Sequence, residues 1–178
     1  MSLITTSRHP SVKARILIRD LSHVLPCCVR INRGKANLLT LIAQTIQSGK
    51  HTLIIVDSKR STPSSINIIR IHDNTTILNK SVLVISDFEE KKSISNLRVP
   101  EKTSHYYIID RETPAELTEK ISRILEDLEV KRISVEELEN INGIIFYLKW
   151  EGNAVILKFY LAPSMSELGP RIKIKDVF

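Results

Sequence analysis

The chain has 178 residues, of which 42% are hydrophobic and 26% charged, a composition typical of a globular fold and not of a disordered chain. No apolar run reaches the roughly 20 residues of a membrane-spanning helix, and no basic-then-apolar signal segment opens the sequence, so we expect a cytoplasmic protein without a membrane partner. The two cysteines, Cys27 and Cys28, are adjacent and too few for a disulfide framework or a zinc site.

The positive charge is concentrated in the first half of the sequence. The whole chain has 26 Lys and Arg against 20 Asp and Glu, a net charge of +6. Residues 1–80 contain 12 basic and 3 acidic residues, a net +9, whereas residues 81–178 contain 14 basic and 17 acidic residues, a net −3. A basic half joined to a mildly acidic half indicates that a polyanion binds on one side.

The first half alternates predicted strands and helices. Residues 2–6 predict a strand, and apolar residues at helical spacing over 11–25 predict a helix that begins near Pro10, with Ser7 as its cap, and ends at Pro26. A strand at 27–31, a turn at 32–34, a helix with its apolar face over 38–46, and strands at 53–56, 66–71 and 82–86 follow. The basic and proline-containing stretch 58–65 predicts a mobile loop.

The second half repeats this alternation after a polar connecting segment at 89–102. A strand is predicted at 106–110, and a helix at 113–128 with Thr113 as its cap, Pro114 in its first turn and Glu116 completing a capping box. Strands are predicted at 130–135, 144–150, 154–161 and 171–177, with Gly152-Asn153 as a hairpin turn. The pattern predicts an α/β fold with mixed sheets flanked by helices.

An offset of 104 residues aligns the first strand–helix–strand unit with a second one. Ile4 then meets Ile108, and Pro10 meets Pro114. Apolar positions agree without gaps over about 28 residues, which predicts two similar half-domains that arose by internal duplication. Generic strand–helix–strand units share such patterns, so chance similarity is the alternative.

The sequence contains no complete catalytic or metal-binding motif. Gly49-Lys50 resembles the end of a phosphate-binding loop, but the motif's other positions hold Gln44 and His51. The five histidines are scattered, with no pair at the spacing of helical metal ligands. We therefore predict a protein that is not an enzyme, with no cofactor, metal or small-molecule substrate.

Basic residues in three places are the candidate binding residues. Arg30, Arg33 and Lys35 surround the tight Asn32–Gly34 turn, where backbone amides can approach a phosphate closely. Arg15 and Arg19 lie one turn apart on the exposed face of the first predicted helix, and Arg171, Lys173 and Lys175 alternate with apolar residues in the last predicted strand. The alternatives are solvated turn and helix charges, and an edge strand whose lysines prevent aggregation.

Several short motifs resemble the Brix domain family. Five short motifs of this chain resemble, in order, the opening of a Brix domain: Ile4-Thr5-Thr6-Ser7-Arg8, Pro10, Arg19-Asp20-Leu21, Val24-Leu25-Pro26 and Arg30-Ile31-Asn32-Arg33-Gly34. Its closing signature resembles Glu167-Leu168-Gly169-Pro170-Arg171. The resemblance implies a single Brix domain over 1–178 of the compact archaeal form, with a basic N-terminal half at 1–88 and a C-terminal half at 103–178.

The resemblance also implies a function. Brix proteins are ribosome-biogenesis factors that bind ribosomal RNA precursors during rRNA processing, and each half resembles the anticodon-binding domain of class II aminoacyl-tRNA synthetases. Arg8 joins the RNA-binding candidates on this basis, whereas the low glycine content of 57–65 leaves RNA contacts of Lys59 and Arg60 unassigned. Ribosome-assembly proteins are the second class of partner.

Two functions therefore stay open. The first is a non-enzymatic factor that binds RNA directly. The second is a protein-interaction scaffold that docks an assembly partner through the acidic half or an exposed sheet edge. Convergence of the bases of 8–35 and 171–175 on one surface would favour RNA, and their scattering would favour protein docking.

Overall fold

A computed structural model describes residues 1–72, 76–100 and 103–178 of the chain. It is a mixed α/β structure, as the sequence predicts, with eleven strands in one sheet among the described residues. The first half contains β1 (Ser2–Thr6), α1 (Val12–Val24), β2 (Cys28–Arg30), α2 (Leu38–Gln47), β3 (Thr52–Lys59), β4 (Thr62–His72) and β5 (Thr76–Glu89). A short helix, α3 (Lys91–Ile94), follows β5.

The second half contains β6 (Ser104–Ile109), α4 (Ala115–Asp127), β7 (Lys131–Arg132), a 3-10 helix (Val135–Asn140), β8 (Gly143–Glu151), β9 (Ala154–Ala162), β10 (Ser166–Glu167) and β11 (Arg171–Val177). The strand order is β2-β1-β3-β4-β5-β11-β9-β8-β6-β7, with β10 paired to β9. The last strand therefore lies in the middle of the sheet, where it joins the two halves by antiparallel pairing with β5 and β9.

Both long helices of the halves lie on the same face of the sheet and share one core. In α1 the buried side chains include Leu17, Leu21 and Val24, and α4 contributes Ile121 and Leu125. Phe146 and Phe159 are fully buried beneath them and meet edge to face, with ring centroids 4.8 Å apart. Smaller apolar clusters cover the other face, one beneath α2 and one beneath the 3-10 helix.

The sheet curls around α1 and α4. The amino group of Met1, next to β1, lies 3.1 Å from a carboxylate oxygen of Glu129, two residues before β7. In a flat sheet β1 and β7 would be about 38 Å apart, since they are separated by eight steps of about 4.8 Å. Arg70 of β4 also pairs with Asp127 at the end of α4. These contacts bring the two halves together on the helix-covered face.

The two halves have the same topology. The order β2-β1-β3-β4-β5 corresponds to β7-β6-β8-β9-β11, with parallel and antiparallel pairs in the same places. Backbone bonds also correspond: Ser7 N donates to Val56 O at 3.0 Å, and Asp110 N donates to Leu148 O at 2.8 Å. Origin by duplication stays a prediction, which superposition of the halves tests.

The predicted offset of 104 is one residue too long in the first strand. Ile4 lies in the main core, but Ile108 lies in the cluster on the opposite face, and Tyr107 takes the place that corresponds to Ile4. A one-residue slip in a strand moves every side chain to the other face, so the apolar pattern alone could not fix the register. The helix positions that the offset pairs, Leu17 with Ile121 among them, are buried as expected.

Three local predictions are wrong. Ser11, not Ser7, caps α1, because its side chain accepts a bond from the amide of Ala14. Thr113 does not cap α4, whose preceding residue is Pro114 and whose N-terminus has no side-chain cap. Residues 58–65 are a hairpin and not a loop: β3 and β4 pair Lys59 with Thr62, and Arg60 and Ser61 alone form the turn between them.

The other predicted strands and helices are present, but β5 begins at Thr76 and not at 82, and β7 covers only Lys131–Arg132 of the predicted 130–135. The last strand covers 171–177 as predicted, and Gly152-Asn153 forms the turn between β8 and β9. The connecting segment 89–102 begins with the end of β5 and contains α3, and its residues 101–102 lie outside the described residues.

Candidate nucleic-acid interface

A basic surface forms where β1, β2 and β3 end. These strands are parallel, so the segments that follow them meet at the same edge of the sheet. Six cationic residues lie on these segments and on the first turn of α1, and we call them the basic edge: Arg8, Lys13, Arg33, Lys35, Lys59 and Arg60. Five are exposed and Arg33 is half-buried.

Hydrogen bonds hold the three segments of the basic edge together. The amide of Ser11 donates to Ser58 Oγ at 3.2 Å, which joins the start of α1 to the end of β3. Arg33 Nη1 donates to Thr6 O at 3.4 Å, which joins the turn after β2 to the end of β1. The cations therefore lie on connected backbone and not on independent loops.

The helices add to the favourable electrostatics of this edge. Both α1 and α2 begin here, and their first turns, which the structure describes in full, contain no acidic residue. Helix N-termini carry a partial positive charge from unsatisfied amides. Neither helix therefore contributes a carboxylate of its own that would repel a phosphate-bearing ligand at its start.

Arg33 and Arg30 differ in how free they are to bind a ligand. The Arg33 guanidinium donates from Nε to Ala36 O at 3.1 Å as well as to Thr6 O, so this side chain holds the turn in place. Arg33 is therefore not the freely solvated turn charge that was the alternative for this position. Arg30 and Asn32 are exposed, and Gly34 lies at the tip of the turn.

Arg15 and Arg19 lie on the outer face of α1, as predicted. Arg15 is exposed and extends the basic edge along the helix. Arg19 donates from Nε and Nη2 to Asp20 Oδ1, both at 3.0 Å, and Asp20 is almost completely buried. The charge of Arg19 is therefore partly neutralised by its neighbour.

Arg171 is held by carboxylates from two strands. Its Nε and Nη2 donate to Glu167 at 2.6 and 2.7 Å, and its Nη1 donates to Glu89 at 3.0 Å. Hydrogen bonding to Glu167, with help from Glu89, raises the pKa of this guanidinium above its ordinary value. The geometry indicates a structural role for Arg171 in joining β5, β10 and β11.

Lys173 and Lys175 lie apart from the basic edge. They are exposed on the middle strand of the sheet, on the face opposite α1, because Ile172 and Ile174 fill the core on the other face. The edge-strand interpretation of this segment is wrong, since β11 has neighbours on both sides. β4 and β5 lie between β3 and β11, so the bases of 171–175 are not adjacent to the basic edge within the sheet.

The corresponding edge of the second half is acidic. Asp110 and Glu112 follow β6, Glu116 lies in the first turn of α4, and Glu136 and Glu137 lie in the first turn of the 3-10 helix. Glu151 lies at the end of β8, next to the hairpin turn. Two edges with the same topology therefore carry opposite charge, and of the two only the edge of the first half favours a polyanion.

Sequence reasoning did not include Lys13, Lys59 and Arg60 in the site. The missing information was the pairing of β3 beside β1, which places the β3–β4 turn next to the segments after β1 and β2. A parallel strand–helix–strand–helix–strand reading of residues 2–59 would have placed them there, because the carboxyl ends of parallel strands share one edge.

Two further features of the described residues bear on function. No group of three or more His, Cys, Asp or Glu side chains in this part of the chain could hold a metal ion. Among the described helices, none combines the length and the apolar character needed to cross a membrane.

Comparison with known proteins identifies relatives by sequence. No protein-family model matches the chain. A probable Brix domain-containing ribosomal biogenesis protein of Methanococcus maripaludis is 25% identical over 176 residues, which cover 98% of this chain and 96% of the relative. Proteins of the same description from Sulfurisphaera tokodaii and Pyrococcus horikoshii are 29% and 31% identical over 47% and 40% of this chain. Those two matches span only 46% and 32% of the relatives' own lengths.

Solved structures show the same fold. A probable ribosomal biogenesis protein from Aeropyrum pernix superposes with a TM-score of 0.82 at 17% identity, over 97% of this chain and 94% of that one. Mil, an archaeal Imp4-like protein, superposes with a TM-score of 0.70 at 13% identity, over all of this chain and 99% of that one.

The fold and the charged edges define a two-part α/β protein with a positively charged surface on one part. Over nearly its whole length the chain is similar to an archaeal protein described as Brix domain-containing, and it shares the fold of an archaeal ribosomal biogenesis protein, in agreement with the resemblance found in the sequence.

Proposed function

We propose that this protein is a ribosome-biogenesis factor that binds ribosomal RNA precursors through the basic edge and performs no chemistry on them. The name of its archaeal relatives supports the biogenesis role. The observation that carries the RNA part is the basic edge itself, where six cations meet at the starts of two helices that lack acidic first turns. Phosphate contacts of this kind supply most of the affinity of non-specific nucleic-acid binding.

The basic edge suits phosphates better than base edges. Arginine can donate two parallel hydrogen bonds to a phosphate, and lysine adds a point charge. No aromatic residue belongs to the basic edge as defined, so a stacking platform for bases is absent from these described positions. We therefore expect RNA binding with modest sequence preference.

Protein docking is the second candidate, and one observation favours it. Two strands separate the bases of 171–175 from the basic edge within the sheet, and such separation favours a scaffold. The acidic edge of the second half offers a surface for a basic protein partner. RNA binding and such docking use different halves and are compatible.

The proposed function is tested by the salt dependence of RNA binding. For the pure protein and a single-stranded rRNA fragment, we expect log affinity to fall linearly with log salt, with a slope of about −0.7 for each phosphate contact. The measurement is a fluorescence-anisotropy titration at several salt concentrations. A flat dependence, or no binding at low salt, would overturn the RNA part of the proposal, whereas the docking candidate would stand.

A further inference from the structure

A large cleft lies between the two halves, at the opposite end of α1 from the basic edge. Its walls are the second half of α1 with the residues that follow it, the segment 91–100, and the start of β6. Its volume is about 1270 Å³. Pockets that enclose one drug-sized ligand measure about 300–1,000 Å³, so the cleft has room for a larger, chain-like ligand.

The cleft is strongly cationic. Five Lys and Arg side chains line it, and the single carboxylate among its described lining residues is Asp20; the cations are Arg19, Lys50, Lys91, Lys92 and Arg98. Asp20 is occupied, because one of its oxygens accepts from Arg19 and the other accepts from the Lys91 amide at 2.9 Å. The excess positive charge has no internal counter-charge in the cleft.

Lys50 is the most informative of these cations. Only 9% of this residue is exposed, yet within the described residues no carboxylate forms an ion pair with it. Buried charges in proteins are normally paired, because an ammonium group loses its hydration on burial. A buried lysine that lines an open cleft without a carboxylate is arranged for an anion that comes from outside.

Apolar side chains accompany the cations. Val29 and Leu97 are 47% and 43% exposed, and Leu25, Pro26 and Val99 also line the cleft. The rings of His23 and His105 lie there too, and burial lowers the pKa of both, which favours the uncharged form of each ring. Neutral rings and apolar side chains can pack against unstacked bases, which a duplex does not offer.

We propose that this cleft binds a single-stranded segment of RNA, with its phosphates on Lys50, Lys92 and Arg98 and its bases against the apolar wall. The inference rests on the proposed function and deepens it, because it names the class of RNA and a second site. Arg15 on the outer face of α1 lies between the basic edge and Arg19, which lines the cleft. The helix is 13 residues long, about 20 Å, so one RNA chain can contact both sites.

Cys27 reports directly on occupancy of the cleft. It is exposed and lines the cleft, whereas burial raises the pKa of the neighbouring Cys28 to about 11 and keeps that thiol protonated. A thiolate, not a thiol, reacts with maleimide, so Cys27 is the residue that reacts. Protection of Cys27 from alkylation therefore measures ligand bound in the cleft, and it does so in the wild-type protein.

The experiment measures alkylation of Cys27 by maleimide with and without an oligouridylate of about ten nucleotides, a length within the roughly 4–16 nucleotides of known single-strand sites. We expect the RNA to slow alkylation at least tenfold in the wild type. The same sequence paired in a duplex, and poly-glutamate as a model acidic peptide, should leave the rate within a factor of two.

A variant separates this site from the basic edge. The triple change Lys50→Met, Lys92→Ala and Arg98→Ala keeps the apolar stem of Lys50 and should abolish protection and reduce the salt slope by about 2. If RNA binds the wild type with the expected salt slope but Cys27 reacts at its free rate, the cleft inference is overturned and the proposed function stands. If poly-glutamate protects Cys27 and RNA does not, the cleft is a protein site. If no RNA binds at low salt, both proposals fail together.

Discussion

Replacing Arg8, Lys35 and Lys59 together by alanine should weaken single-stranded RNA binding about 50-fold at 0.15 M salt and reduce the salt slope by about 2. The reason is the loss of three phosphate contacts, each of which contributes about 0.7 to the slope of log affinity against log salt. All three side chains are exposed, and among the described residues none of them forms an ion pair. Arg33 is left intact because it holds the turn after β2.

The matched control removes three exposed cations from the second half: Arg111, Lys131 and Arg132. Both variants lose the same net charge, so a general electrostatic effect would weaken both equally. We expect the control to bind within about threefold of the wild type, because its cations lie at the acidic edge. If both variants lost the same RNA affinity, the basic edge would not be the RNA-binding surface.

Replacing Gly169 by alanine should lower the free energy of unfolding by about 2–5 kcal/mol. Gly169 has a left-handed backbone with φ of 64°, which costs an alanine about 1–2 kcal/mol. An added Cβ would also lie 3.0 Å from Lys91 Cα and 3.0 Å from Ile94 Cδ1, and crowding of this kind costs about a further 1–3 kcal/mol. Chemical denaturation measures the difference.

Gly152 provides the control for this prediction. It has almost the same backbone, with φ of 65°, but no atom lies within 4 Å of its would-be Cβ. Gly152→Ala should therefore show only the backbone cost of about 1–2 kcal/mol. A destabilisation of Gly169→Ala no larger than that of Gly152→Ala would show that close packing of the α3 segment on Gly169 is not required.

Packing and hydrogen bonds account for part of the closing signature, Glu167-Leu168-Gly169-Pro170-Arg171. Leu168 is completely buried, and Glu167 fixes Arg171 with two hydrogen bonds. Gly169 allows α3 to pack closely on the chain. Because α3 begins in a wall of the cleft, the signature packs against a segment that lines the proposed RNA site.

Local patterns in the sequence predicted most elements, because strand and helix periodicities are local properties. The apolar residues of α1 and α4 and the alternation in β11 were sufficient for this. The position of β11 in the middle of the sheet was not predictable, since it depends on pairing with β5 more than 80 residues away. Polar residues in 58–65 suggested a loop, but cross-strand pairing extended both strands through it.

The candidate site was predicted in part for the same reason. Arg8, Arg33 and Lys35 lie on neighbouring segments, as the motif around Asn32 and Gly34 suggested. The engagement of Arg171 could not be predicted, because one of its partners, Glu89, is 82 residues away in the sequence. The cleft was missed because it forms only where α1 meets segment 91–100 and β6.

The most direct test of the central claim is photo-crosslinking of the protein to an rRNA precursor fragment, followed by identification of the crosslinked peptides by mass spectrometry. Binding through the basic edge predicts crosslinks in the segments 7–15, 31–37 and 58–62, which the fold brings together. Crosslinks confined to the acidic edge of the second half, at 110–116 and 134–140, would contradict the account.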